Sequence, residues 1–506
     1  MNGANGRYTF YTTIPAIIGL EQEIPIYRAI TDSSSPGEST TSVIQLRGIE
    51  LQIYLYSFVS SQYPEAAVWK SEQVFSTAKR YAVPAGRVYR DQDLVELATA
   101  ECMNPFELAA RISAMREKLR EYIVSSNGEY VAYCDSGEDI HGFSFHENYL
   151  AQSVRGLLSS GPANFLVSRA VLTGTGGPAF HENTFCLSPR LSYTQSDNHA
   201  GGFGQPKNER LHLVTSDQIY SPTTIALQAG MTAFAVRLTE LGLLPEAPVH
   251  FFLSIEEFNA HVPGKEDALF VAAVEYQRQV FLAARQYADT CVDNGLFPLF
   301  GEHAATEHLL ALWDDRLTLL EQYCLDWDVE KLANDCEWAA KAVYISSMRE
   351  QCGKPGWDDS GHVTDEEITA CKELTNFAPS TNEAIAFQET FGDWEKSLTE
   401  EFSVPRAAFR AYVLSTTRTS RDTARVRMNW ESISVKAPDH RDTSFFTLPT
   451  PFHGANELPS AVARARNTPV RNIAKLVVAS QIDTLGQASP QRVLADSAGI
   501  EARLGR

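Results

Sequence analysis

The chain has 506 residues, of which 44% are hydrophobic and 10% aromatic, enough for a large core spread over two or three domains. Its 43 basic and 63 acidic side chains give a net charge of −20, which argues against a nucleic-acid-binding protein held by phosphate contacts. No apolar stretch is long enough for a transmembrane helix, and the N-terminus lacks the features of a signal peptide. The eight cysteines are scattered without a metal-binding spacing. We therefore expect a cytoplasmic protein, with neither nucleic acid nor a membrane as partner, in which any metal is a hard cation held by oxygen ligands.

The first predicted element is an apolar strand over residues 14–24 (IPAIIGLEQEI) that ends in two glutamates. Because side chains alternate along a strand, Glu21 and Glu23 project from the same face. Two buried carboxylates need a partner, and a divalent cation is the simplest one. A strand end that reaches solvent is the alternative.

A second acidic stretch, RVYRDQDLVELATAECMNP, covers residues 87–105. Its start has the character of a strand, and an extended chain would put Tyr89, Asp91 and Asp93 on one face. Glu96 and Glu101 add two more carboxylates close by. Acidic groups this crowded repel one another unless a cation or a proton relieves them. The alternative is a solvated acidic turn.

Further predicted elements follow the hydrophobic periodicity and the turn residues of the chain. The predicted helices cover residues 41–62, 105–126, 221–241 and 406–414, together with a strongly helical region over 265–350. The predicted strands cover residues 130–134, 142–150, 210–215 and 426–435. On the second of these strands, His146 and Asn148 share a face and Glu147 lies opposite.

These segments, in this order, resemble the Pup ligase and Pup deamidase (depupylase) family, which is related to the carboxylate–amine ligases and to glutamine synthetase. The resemblance rests on IIGLEQE, GRVYRDQDLVELATAEC and GFSFHENYL. It continues through NFLVSRAVLTGTG, LSPR, RLHLVTSD, GMTAFAVRLTE, CEWAAK, PRAAFRAY and NWESISV. It spans most of residues 14–450 and identifies a divergent member.

The resemblance implies an α+β fold, in which a glutamine-synthetase-like curved antiparallel sheet cradles the active site and is backed by helices. We accordingly predict a catalytic domain over 1–400 with a helical subdomain around 265–350, a small C-terminal domain over 401–470, and a tail over 471–506. The implied ligase chemistry uses ATP and Mg²⁺. A glutamate carboxylate of a small Pup-like protein modifier is activated as an acyl phosphate and is then attacked by a lysine amine of a target protein.

The resemblance also implies roles for individual residues. Asp91 takes the catalytic position, as a base toward the amine in ligases or as nucleophile or water activator in deamidases. The implied metal ligands are Glu21, Glu23, Glu96, Glu101 and His146. Arg210 takes the position of a phosphate-contacting arginine. Phosphoryl transfer needs arginines at the transferring phosphate, and Arg169 and Arg190 are the further candidates for that contact. Trp430 falls where an aromatic residue packs near the adenine, and a core position in the C-terminal domain is the alternative for it.

The chain departs from the family pattern at several motifs. Leu94 and Val95 replace a histidine-proline pair, Ile219 replaces an asparagine, and the TRDEPH-type segment is absent. The spacing from Asp91 to the next glutamates matches the deamidase branch, whereas the absence of a long inserted loop before Asp91 favours the ligase, which we expect. A deamidase or depupylase, a ligase acting on a small molecule or peptide, and a non-catalytic binding homologue remain the alternatives.

Overall fold

The computed structural model describes most of the chain between residues 16 and 447. The described residues are 16–35, 38–64, 66–69, 80–132, 145–151, 160–178, 184–191, 210–294, 296, 298–300, 303–354, 356–358, 360–368, 404, 407, 410, 411, 414, 425–428, 432–436 and 444–447.

Helices carry much of the described chain. They are α1 (Gly48–Gln62), α2 (Pro105–Ser125), α3 (Ser160–Ser168), α4 (Ala170–Thr173), α5 (Pro222–Leu241), α6 (Ile255–Asn259), α7 (Ala268–Asp293), α8 (His303–Asp326) and α9 (Glu337–Gln351). Short 3-10 turns cover Phe251–Ser254 and Val329–Leu332. Among the helices of the described residues, none combines the length and the apolar character needed to cross a membrane.

The strands fall into one large sheet and two small ones. They are β1 (Ile18–Ile24), β2 (Ile26–Ser35), β3 (Glu38–Gln45), β4 (Ala67–Trp69), β5 (Arg80–Val83), β6 (Gly86–Asp91), β7 (Leu94–Thr99), β8 (Tyr130–Ala132), β9 (Phe145–Leu150), β10 (Gly177–Pro178), β11 (Phe185–Cys186), β12 (Arg210–Ser216), β13 (Arg425–Met428), β14 (Ser432–Lys436) and β15 (Ser444–Thr447).

The large sheet has ten described strands in the order β12-β9-β1-β7-β6-β5-β4-β13-β14-β15. Its neighbouring strands are antiparallel, except that β4 and β13 pair in parallel. One face of its centre is apolar, and Leu20, Val88 and Leu97 on that face belong to the same buried cluster as the inner sides of α1 and α2. Because side chains alternate, the residues between them point to the other face, which carries the polar groups.

Local sequence signals explain where the main helices begin. The Asn104 side chain accepts the N–H of Phe106 at 2.8 Å, and Pro105 takes the first helical position of α2. Ser221 caps α5 in the same way, by accepting the N–H of Thr224 at 3.1 Å. The helices predicted from Pro105 and over 221–241 are therefore confirmed. The helical pattern over 265–350 is confirmed by α7, α8 and α9.

The helix predicted over residues 41–62 is wrong in its first part. Strand β3 continues to Gln45, and α1 starts only at Gly48, whose φ of 55° lies in the left-handed region. Val43 and Ile44 are β-branched, and such side chains pack better in a strand than in a helix. They lie in the three-stranded sheet β3-β2-β8.

The acidic stretch forms a hairpin rather than one extended strand. Asp91 of β6 pairs with Leu94 of β7, so that Gln92 and Asp93 make a two-residue turn in which Gln92 has a φ of 46°. The extended geometry predicted that Asp93 shares a face with Asp91, and this prediction is wrong because Asp93 lies in the turn. Its carboxylate instead accepts the N–H of Gly48 at 3.0 Å, which ties the turn to the start of α1.

A glycine at the other end of the hairpin permits a close backbone approach. Gly86 has a φ of 152°, and a Cβ atom there would lie 2.0 Å from the carbonyl oxygen of Ala98. Any side chain at this position would push β6 away from β7. The glycine thus keeps the two acidic strands in register.

The C-terminal strands add to the large sheet. The strand predicted over 426–435 is wrong as a single element, because β13 and β14 pair antiparallel with each other and β13 also pairs with β4. Trp430 lies between the two strands, outside the described residues. The division into domains at 400 and 470 stays a prediction, and the tail over 471–506 also lies outside the described residues.

Candidate active site

Acidic side chains gather on the polar face of the sheet, where β9, β1, β7 and β6 lie side by side. Glu21 is the direct cross-strand partner of His146, and Glu23 is the partner of Glu96. Residues paired in this way project from the same face of a sheet. Asp91, at the end of β6, lies on that face too, because it is two residues from Tyr89 and Tyr89 is the cross-strand partner of Glu96.

Two groups of three side chains on this face have ligand atoms within 4.8 Å of one another. Glu23, Asp91 and Glu96 form the carboxylate cluster, and Glu21, His146 and His212 form the histidine cluster. His146 lies between them, since its Nδ1 is 3.7 Å from Glu21 Oε2 and its Nε2 is 3.8 Å from Glu23 Oε2. The two clusters therefore form one continuous site.

Glu96 is the most deeply buried member of the carboxylate cluster, with 1% of its surface exposed. Its Oε1 accepts the hydroxyl of Tyr89, and its Oε2 has no hydrogen-bond partner among the described residues. Burial, followed by the nearby charge of Glu21, raises the pKa of Glu96 well above its ordinary value. A buried carboxylate oxygen without a donor, beside two further carboxylates, fits a hard divalent cation such as Mg²⁺.

The histidine cluster has a different donor chemistry. His146 and His212 meet edge to face with their ring centres 5.1 Å apart, and His212 Nδ1 is 2.8 Å from Asn148 Oδ1. Burial lowers the pKa of His146, but Glu21 and Glu23 outweigh it, and the net pKa is raised. Imidazole suits borderline metals better than Mg²⁺, so the hard-cation fit is strongest at the carboxylate cluster.

Two residues of β6 support the carboxylates from the same face. The Arg87 guanidinium is 2.9 Å from Glu21 Oε1 and donates to the Tyr89 hydroxyl at 3.0 Å. Tyr89 in turn donates to Glu96. Glu21 and Glu96 are thus linked through one arginine and one tyrosine.

Arg190 lies in the helical residues 189–191, which follow β11. Its backbone N–H donates to the buried carboxylate of Asp217 at 2.9 Å, and its Nε donates to the carbonyl of Val214 at 2.9 Å. Its positive charge opposes the rise in the pKa of His146. The phosphate contact predicted for Arg190 stays a prediction.

Arg169 lies on the opposite face of the sheet. It makes a bidentate ion pair with Glu147, with Nη2–Oε1 and Nη1–Oε2 distances of 2.6 and 3.1 Å, and it donates to Ser216 Oγ at 2.8 Å. Glu147 neighbours His146 in sequence, and alternation turns it toward the helices. The structure does not bring Arg169 to the carboxylates, and its predicted phosphate contact stays a prediction.

Glu101 belongs to neither cluster in the part of the chain that the structure describes. Glu21 pairs with Ala98 but Ile18 pairs with Cys102, so one extra residue bulges out after β7. Glu101 lies within the bulged stretch before Cys102, and its carboxylate forms a largely buried ion pair with Arg410. Metal ligation by Glu101 stays a prediction. The phosphate contact predicted for Arg210 also stays a prediction. The backbone of Arg210 pairs with Leu150 at the start of β12, and its side chain lies outside the described part.

Residues 16–434 match the Pup-ligase protein family. The chain belongs to this family. Within it, a Pup–protein ligase from Corynebacterium diphtheriae is 24% identical over 328 residues, which cover 57% of this chain and 64% of that protein. The match thus spans less than two thirds of this relative's length.

Solved structures of Pup ligases have the same fold as this Pup-ligase family member. The complex between the prokaryotic ubiquitin-like protein Pup and its ligase PafA gives a TM-score of 0.65 at 17% identity, covering 94% of this chain and 96% of that one. PafA in complex with ADP gives a TM-score of 0.57 at 18% identity, covering 85% and 96%. The predicted family is confirmed, and so is an α+β fold with an antiparallel sheet backed by helices.

Sequence reasoning missed His212 and Arg87 as members of the candidate site, and it placed Tyr89 on the face of Asp91 without giving it a role. His212 is two residues after Arg210 in RLHLVT. Only the pairing of β12 with β9 reveals that the His212 ring contacts His146. Arg87 and Tyr89 are on the same strand as Asp91, four and two residues before it. Their spacing gave a signal, because residues at even separations on a strand share a face.

Proposed function

We propose that this chain is an ATP- and Mg²⁺-dependent carboxylate–amine ligase of the Pup-ligase type. It joins a glutamate carboxylate of a small Pup-like protein modifier to a lysine amine of a target protein through an acyl phosphate. The observation that carries the proposal is the carboxylate cluster of Glu23, Asp91 and Glu96, in which Glu96 Oε2 has no hydrogen-bond partner among the residues that the structure describes. Membership of the Pup-ligase family supports the substrate class, and the PafA structures with Pup and with ADP support the modifier and the nucleotide.

Glu23 and Glu96 would hold one Mg²⁺, with Glu21 and His146 beside them. The bound cation would supply charge neutralisation on the phosphate oxygens during phosphoryl transfer. Arg190, fixed through Asp217 and Val214, would donate to the same phosphate oxygens, and the guanidinium geometry suits that contact. Arg210 is proposed to join it from the start of β12.

Asp91 is proposed as the base that takes a proton from the attacking lysine. Its carboxylate reaches solvent at the tip of the β6–β7 hairpin, whereas Glu96 is enclosed. A lysine arriving from outside would therefore meet Asp91 first. The two-residue turn after it and the hydrogen bond from Gly48 to Asp93 hold the hairpin tip in place, as a general base requires.

The proposal is tested with a Pup protein whose terminal glutamate carries ¹⁸O in its carboxylate, mixed with ATP, Mg²⁺ and a lysine-bearing target. An acyl phosphate transfers one ¹⁸O atom to the released phosphate, and ligation leaves a covalent adduct visible by mass spectrometry. Both signals are expected. Adduct without label would exclude the acyl phosphate, and ammonia release from a glutamine-terminated Pup without adduct would assign the deamidase reaction instead.

A further inference from the structure

Arg87 occupies an unusual place for a basic residue. It lies on the acidic face of the sheet with only 8% of its surface exposed. Its guanidinium contacts Glu21 Oε1 at 2.9 Å, and its central carbon lies 4.5 Å from the centre of the Tyr89 ring. A buried arginine is fixed by such contacts, and its charge cannot be neutralised by losing a proton.

The contacts of Arg87 extend to the deepest carboxylate. Arg87 donates to the Tyr89 oxygen, and the Tyr89 hydroxyl donates to Glu96. A hydrogen bond received by a hydroxyl oxygen strengthens the bond that the hydroxyl donates. The Arg87 guanidinium therefore orients Glu21, of the histidine cluster, directly. It orients Glu96, of the carboxylate cluster, through Tyr89.

We propose that Arg87 is a positioning residue that acts as the built-in positive charge of the cation site. It holds Glu21 and Glu96 in place before a divalent cation arrives, and its charge limits how tightly the carboxylates bind that cation. This inference rests on the proposed function, because it needs a divalent cation at these carboxylates. A site of limited affinity suits a cation that arrives and leaves with the nucleotide.

The sign of the effect on Mg²⁺ affinity separates this role from a merely structural one. Replacing Arg87 by methionine removes one positive charge from beside the cation and should tighten Mg²⁺ binding roughly tenfold. Coulomb's law gives about this factor for a single and a double charge about 6 Å apart at the dielectric constant of water. If Arg87 only packed the site, its loss would loosen the carboxylates and weaken Mg²⁺ binding.

The chain offers a matched control in Arg80. Its guanidinium carbon lies 4.9 Å from the centre of the same Tyr89 ring, and no ion pair joins it to a carboxylate within the described residues. Arg80→Met removes a similar charge and a similar stacking contact without touching Glu21. Arg80 also lies on this face, as the cross-strand partner of Tyr89, so we expect a smaller gain in Mg²⁺ affinity for Arg80→Met than for Arg87→Met. Arg87→Lys keeps the charge and should bind Mg²⁺ with an affinity close to that of the wild type.

The experiment is a calorimetric titration of the full chain with Mg²⁺ alone, without nucleotide, together with thermal unfolding of each variant. Arg87→Met is expected to be less stable than the wild type without Mg²⁺ and to gain more stability from it. In the Glu21→Gln background, where one carboxylate charge is already gone, the same substitution should destabilise less.

Each outcome has a distinct meaning. If the wild type binds Mg²⁺ and folded Arg87→Met binds it equally or more weakly than the wild type, the inference is overturned but the proposed function is not. The same holds if Arg87→Met and Arg80→Met behave alike. If Arg87→Met does not fold, a change in Mg²⁺ affinity of Arg87→Lys relative to the wild type that is as large as the tenfold expected for loss of the charge would overturn it. A wild type that binds no Mg²⁺ overturns the proposed function and the inference together.

Discussion

Glu23 and Glu96 face each other as a direct pair across β1 and β7, at the centre of the large sheet. Like charges opposite one another destabilise a sheet, and burial of Glu96 increases the penalty. The pair therefore lowers the stability of the sheet unless its charge is compensated. The arrangement is understandable if a cation binds there.

The stability of the metal-free protein should therefore depend on the ionisation of Glu96. Burial and the charge of Glu21 raise the pKa of Glu96 above its ordinary value of 4.5, so the folded protein keeps a proton that the unfolded chain releases. The contribution of Glu96 to stability thus falls as the pH rises from about 4.5 through the raised pKa. Glu96→Gln cannot ionise and should lose this component. Urea unfolding in EDTA at several pH values would measure it, and identical pH slopes for both proteins would contradict it.

Asp91→Asn should abolish ligation while nucleotide binding is nearly retained. The amide keeps the size of the carboxylate but cannot take a proton, and loss of a general base typically lowers the rate by about 10² to 10⁴-fold. Asp93→Asn is the matched control, since Asp93 lies in the same turn but contacts Gly48. Turnover and ATP binding of both variants are the measurements. Full activity of Asp91→Asn would remove the central assignment of this residue.

The roles of Glu23 and Glu101 can be told apart by Mg²⁺ titration. Glu23 belongs to the carboxylate cluster, whereas Glu101 pairs with Arg410. Glu23→Gln should weaken Mg²⁺ binding, and Glu101→Gln should leave Mg²⁺ affinity near the wild-type value while lowering stability. Calorimetry and thermal unfolding measure the two effects. Loss of Mg²⁺ binding in a folded Glu101→Gln variant would restore the ligand role expected from the resemblance.

Arg169→Met should destabilise the fold without a specific effect on nucleotide binding. Removing one partner of a buried ion pair leaves the other charge uncompensated, which typically costs about 3–5 kcal/mol, and here Glu147 would be left. Urea unfolding measures the loss. Arg169→Lys keeps a charge beside Glu147, so its ATP affinity in the folded state should equal that of the wild type. Weaker ATP binding would place Arg169 among the phosphate contacts.

Local patterns were sufficient for much of the fold and for part of the site. The alternation in IIGLEQEI put Glu21 and Glu23 on one face, and Pro105 and Ser221 marked the starts of α2 and α5. These features depend on neighbours in sequence. Hydrophobic periodicity and capping residues express them directly.

Long-range pairing decided what the patterns left open. The partnership of Arg169 with Glu147 and that of Glu101 with Arg410 join distant parts of the chain, and no local signal announces them. The turn at Gln92 required a left-handed conformation at a residue other than glycine, which the sequence does not reveal. His212 entered the site only through the register of β12 against β9.

The most direct test of the central claim is thermal unfolding of the full chain with ATP, Mg²⁺, both together and neither, for the wild type and for Glu23→Gln. A ligand that binds only the folded state raises the midpoint temperature of unfolding. At a ligand concentration of a hundred times the dissociation constant, it adds about 2.7 kcal/mol to the free energy of unfolding. The account predicts a clear rise for the wild type with ATP and Mg²⁺ together, a much smaller one with ATP alone, and loss of the Mg²⁺-dependent part in Glu23→Gln. No rise with ATP and Mg²⁺ together, or an equal rise in both proteins, would contradict a nucleotide and cation site at the carboxylate cluster.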